Sequence, residues 1–217
     1  MKYYEIREAV DTSEVGNVFP QTDGLEGKET FSSDTSFSVF NHHGFPDHFR
    51  NDQKIKVRHS TSLTDFISTA IISAHGFIIS QKVKEILNRF DLVASKFYNI
   101  QIKYRNHDID TYSWFHMFWE QKYESIDFES SVFELKRFSN SFGEIKLKSA
   151  DDYINESIEN KPKVIRPINM IIKCPKVDLF YSPIGITKII SERLINEFEK
   201  NNLTGYCIKE LENMTIK

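Results

Sequence analysis

A chain of 217 residues, 40% hydrophobic and 27% charged, is long enough for one large domain or two small ones, and its net charge of −3 gives no electrostatic reason to expect nucleic-acid binding. No stretch approaches the roughly 20 apolar residues of a membrane-spanning helix, and the opening Met1-Lys2-Tyr3-Tyr4-Glu5 lacks the apolar core of a signal peptide. Two cysteines, Cys174 and Cys207, are too few for a disulfide framework, so the expectation is a soluble globular protein of a reducing cytoplasm.

Residues 1–40 hold eight acids against three bases and a Ser/Thr-rich run, with no sustained period of 2 or 3.6. After a strand at Tyr3–Ile6, residues up to 62 read as an irregular N-terminal part. So long a loop is uncommon, so one or two short strands are expected inside it. From 63 to 217 the pattern is that of an α+β core, with the whole chain forming one compact unit. Leu63, Phe66, Ile67, Ala70 and Ile71 have helical spacing, which predicts a short amphipathic helix ending near Gly76. Phe77–Ile79 predicts a strand. Ser80 stands at an N-cap position, and Val83, Ile86, Leu87 and Phe90 form one helical stripe behind it. Tyr98, Ile100, Ile102 and Tyr104 alternate with polar residues, as in a half-buried strand.

Residues 112–119 are bulky on both faces and predict a central strand. Shorter strands are expected at 123–127 and 143–147. Ser149 caps a predicted helix with Asp151 and Asp152 in its first turn and Ala150, Tyr153, Ile154 and Ile158 on its buried face. Residues 167–173 and 177–181 predict further strands. One echo stands out: Ile78-Ile79-Ser80-Gln81-Lys82-Val83 recurs as Ile189-Ile190-Ser191-Glu192-Arg193-Leu194. Each copy leads from an apolar strand through a Ser cap into a helix and then a strand (98–104 and 205–211). Gly205 is expected to close the second helix at its C-terminus. The fold class that follows is α+β: a mixed, largely antiparallel sheet packed with three to four helices, containing two similar strand–Ser-cap–helix–strand units.

Catalytic chemistry has little to stand on. His42, His43, Asp47 and His48 crowd into seven residues, but adjacent histidines point apart and Gly-Phe-Pro breaks a helix, so solvated loop histidines explain them. His116 reads as a satisfied core or rim residue. Nucleophile elbows and Gly-rich phosphate loops are absent, so no catalytic residue, metal or cofactor is assigned. The informative feature lies at 108–134, where seven acids face one base, Lys122, among eight aromatic residues. Aromatic anchors rimmed by carboxylates suit the grip of a basic protein partner. Asp108, Asp110, Glu120, Glu124, Asp127 and Glu129 form the candidate charged set, with Trp114 and Trp119 as anchors. A solvated acidic face over an aromatic core is the plainer alternative.

Five pieces in order carry a resemblance. Thr64-Asp65-Phe66-Ile67 followed by Ile78-Ile79-Ser80, then Ile126–Phe133, Asp178-Leu179-Phe180, Ile189–Leu194 and Leu203-Thr204-Gly205 resemble the bacterial polymorphic-toxin immunity family typified by the Myxococcus immunity domain, immunity family eleven. The resemblance spans roughly residues 63–212, and of the first sixty residues only Lys2-Tyr3-Tyr4 joins it. Gln81-Lys82 and Tyr206 depart from the family pattern at helix surface and strand packing. The resemblance implies a non-enzymatic cytoplasmic protein that neutralises a cognate secreted toxin, often a nuclease, by direct occlusion. It supplies no active-site residues; its motif positions read as caps, turns and core. Two other readings stay open: a general protein-binding or regulatory module, and an enzyme reversing a toxin's modification through the histidine cluster.

Overall fold

The computed structural model describes residues 1–26, 44–45, 54–70, 75–118, 122–173 and 176–217. Among them are fourteen strands and four α-helices in an α+β arrangement of three sheets. The first sheet has six strands: β2 (Thr22–Glu26), β3 (Lys54–Val57), β6 (Ser95–Tyr104), β7 (His107–Met117), β5 (Phe77–Ser80) and β4 (Phe66–Ile67), in that spatial order. The second runs β11 (Leu179–Tyr181), β12 (Lys188–Ser191), β1 (Tyr3–Glu8), β13 (Tyr206–Lys209), all antiparallel. The third runs β14 (Met214–Ile216), β10 (Val164–Ile172), β8 (Val132–Arg137), β9 (Asn140–Ile145). The helices are α1 (Thr12–Val15), α2 (Gln81–Leu87), α3 (Ala150–Glu159) and α4 (Glu192–Lys200).

Period-2 alternation stacks these sheets. Phe77, Ile79, Phe115 and Met117 of the six-stranded sheet meet Ile6, Leu179, Tyr181 and Ile190 of the second sheet, with α2 and α4 adding Val83, Leu87, Leu194 and Phe198. The opposite face of the six-stranded sheet buries Ile78, Tyr98, Tyr112 and Trp114 side by side with Ile55, Val57 and Ile67 of its own outer strands. The opposite face of the second sheet buries Tyr3, Phe180 and Ile189 against Phe133, Ile165 and Met170 of the third. The second sheet therefore packs apolar residues on both faces, Ile6 and Ile190 on one and Tyr3 and Ile189 on the other.

The echo in the sequence is a pseudo-twofold repeat in space. β4, β5, β7 and β6 stand in the same spatial order as β11, β12, β1 and β13. The registers agree as well: Phe66 faces Ile79 as Leu179 faces Ile190. Ile78 pairs with Trp114, which pairs with Tyr98; Ile189 pairs with Glu5, which pairs with Lys209. In the first unit β7 follows β6 in sequence, whereas in the second its counterpart is β1, from the other end of the chain.

Several expectations are corrected. Residues 63–70 are not helical: Phe66 and Ile67 form β4, paired with β5. Asp65 and Phe66 are held in an extended path by hydrogen bonds to Thr204, and tertiary bonding overrides the apolar spacing. Residues 123–125 are a 3-10 turn rather than a strand, and β8 was not anticipated. Ile154 and Ile158 of α3 are exposed, because the helix packs through Ala150 and Tyr153 alone. Gly205 lies past the end of α4, which terminates at Asn201. Gly205, at φ +87°, instead lets the chain pass so close to β4 that a Cβ there would sit 2.2 Å from the Phe66 carbonyl oxygen. The N-terminal part contributes β2 and β3 to the six-stranded sheet, β3 pairing in parallel with β6.

Candidate partner-binding surface

The motif residues of the resemblance converge on two reciprocal locks. In the first unit the Ser80 hydroxyl donates to the Asp65 carboxylate (2.7 Å) and the Ser80 N–H to the Asp65 carbonyl (2.8 Å). The second unit repeats this with Ser191 and Asp178, at 2.5 and 2.8 Å. Each serine also caps its helix, accepting from the N–H of Val83 or Leu194. The other oxygen of each aspartate reaches across to the opposite unit. Asp65 accepts from the Thr204 N–H (3.0 Å) in the segment after α4, and Asp178 from the Asp91 N–H (3.1 Å) in the segment after α2. Arg193 adds its guanidinium to Asp178. Burial pushes the Asp178 carboxyl up, but the bonds from Arg193, Ser191 and Asp91 outweigh it and hold the group below the usual carboxylate range. These residues hold the two units together and leave none of their polar atoms aimed at a ligand.

The acidic segment is divided. Asp108 and Asp110 are exposed near the start of β7. Asp108 is ion-paired with Lys54, which holds its carboxyl below the usual range, and so belongs to a charged sheet face that also carries the Lys103–Glu26 pair. Glu124, Asp127 and Glu129 follow the far end of β7, roughly 25–30 Å from Asp108 at ~3.3 Å per residue along the strand. Trp114 is fully buried, and its indole N–H donates to the His75 carbonyl at 2.7 Å. It is therefore a core residue and unavailable as a surface anchor. Trp119 and Glu120 lie outside the described residues, as do His42, His43, Asp47 and His48.

Around the second acidic group the structure forms a cleft of about 250 Å³ where the three sheets meet. Phe118, Val93, Ile172, Val177 and Phe180 make its apolar wall, and Lys122 and Ser125 its polar edge. Glu124, adjacent in sequence to Ser125, and Glu129 are exposed. Asp127 is half-buried and fixes the turn: its carboxylate accepts from the Ser130 N–H (3.3 Å) and its carbonyl from the Ser131 hydroxyl (2.6 Å). Ser131 is itself a donor-acceptor link, accepting from the Ile171 N–H at 2.9 Å.

Two buried polar features escaped the sequence reading. Lys188 sits where the first unit has Phe77, and its ammonium lies 4.0 Å from the centroid of the Phe77 ring. It bonds to Glu8 (3.3 Å), which also accepts from the Thr69 hydroxyl (2.9 Å), and burial outweighs Glu8 in lowering the lysine's pKa. Extending the echo by one residue, to Phe77 and Lys188, would have exposed this polar break. His116, fully buried and stacked on Trp114 at 4.4 Å, has no hydrogen-bond partner for either ring nitrogen among the described residues. Burial, and then the charge of His75, pushes its pKa down to about 4, so it is neutral near pH 7: the core residue expected, though without a partner among the described residues. No group of three or more His, Cys, Asp or Glu among the described residues is arranged to hold a metal. The chain matches no protein-family model and no curated protein sequence.

Proposed function

We propose that the protein is an immunity protein that binds a cognate secreted bacterial toxin and blocks it by occlusion, acting in the cytoplasm. The observation that carries this reading is an apolar cleft with the exposed Glu124 next in sequence to its lining residue Ser125, and the exposed Glu129 in the turn that follows. Apolar walls supply desolvated contact, and carboxylates steer a basic partner and reject acidic ones. A nuclease toxin, whose active site is built for phosphates, is the partner class such charges suit. The ordered resemblance across residues 63–212 supports the same reading.

The test is co-expression with the product of the neighbouring gene, scored by growth and by co-purification. Rescue with a stable complex is the expected result, and Glu124→Lys/Glu129→Lys is expected to weaken that complex at least about tenfold and flatten its salt dependence. Rescue without any complex would overturn occlusion. A complex indifferent to the double reversal would exclude this rim as the contact.

A further inference from the structure

We draw no further inference here: the strongest candidate, the apolar tip of the β8–β9 hairpin, where Phe138 is 90% exposed at φ +56° and lines a groove with the Ile184–Thr187 turn, has its bases (Arg7, Lys136, Arg166) matched by its acids (Glu5, Glu134, Glu212), and nothing in the structure shows what covers it.

Discussion

Asp178→Ala should be far more damaging than Asp65→Ala, although the two aspartates occupy equivalent positions. The Asp178 side chain is fully buried, and removing it strands the Ser191 hydroxyl and the Asp91 N–H, formerly bonded at 2.5 and 3.1 Å. The Ser191 hydroxyl, left buried without its acceptor, costs about 1–3 kcal/mol, whereas the Asp91 N–H and Arg193, on exposed residues, find water and contribute ~0–1 kcal/mol each. The sum is about 2–4 kcal/mol. Asp65 is only half-buried, and its partner Thr204 is exposed, so water replaces most of what is lost and the cost is about 1–2 kcal/mol. Urea unfolding with a shared slope measures both; in melting temperature the difference corresponds to ~2–4 °C per kcal/mol for a chain this long. The acid limb carries a second signature. Because the folded Asp178 pKa is depressed, its stabilisation is complete above the unfolded value near ~3.9 and disappears as pH falls through the lower folded value. Asp178→Asn should therefore lack that loss below about pH 4. Equal costs for the two alanine variants, or a larger one for Asp65, would refute the ranking by burial.

Gly205→Ala combines a left-handed backbone with a Cβ directed at the Phe66 carbonyl, and should cost about 3 kcal/mol or more in the same urea assay. For His116 the folded pKa, about 4, lies below the unfolded value of ~6.5; stability is full above ~6.5 and falls by about 3 kcal/mol in total as pH drops toward 4. His116→Phe should flatten that slope and leave stability at pH 7 equal or higher, as read by denaturation at a series of pH values. Lys188→Met should cost about 2–4 kcal/mol because it leaves the half-buried Glu8 carboxylate with the Thr69 hydroxyl but without its cation. The double change Glu8→Met/Lys188→Met, which restores the apolar character of the first unit, should be more stable than either single variant by calorimetry.

Much of the fold was legible because capping is local chemistry. Ser80, Ser149 and Ser191 each announce a helix through their own hydroxyl, and all three do cap one. The echo of residues 78–83 and 189–194 led to the pair of units for the same reason. What failed was anything decided at long range. Phe66 and Ile67 show helical spacing, yet the Phe66 N–H is claimed by the Thr204 carbonyl, far along the chain, and both residues pair with β5, about a dozen residues away. Trp114 and its acidic neighbours are contiguous in sequence, but a strand turns alternate residues to opposite faces and carries its two ends far apart. Composition therefore described one surface where there are two. Phe138 carried a signal that went unread: a Phe-Ser pair between alternating strands is poor turn chemistry, and such exceptions are where function is to be sought.

The order in which the second unit acquires its strands has a consequence for biosynthesis. β4, β5, α2, β6 and β7 are contiguous in sequence, so the first unit has its own strands in hand soon after residue 117 is made. β1 lies between β12 and β13, and these are translated roughly 180 residues later, ~10–40 s at ordinary elongation rates. Through that interval its Tyr3 and Ile6, buried on opposite faces in the finished sheet, have no strand to pair with. The Asp65 lock likewise waits for Thr204. A ribosome stalled before about residue 205 thus holds a chain with one unit formed and the other open at both edges of β1, a natural client for a chaperone that recognises apolar strands.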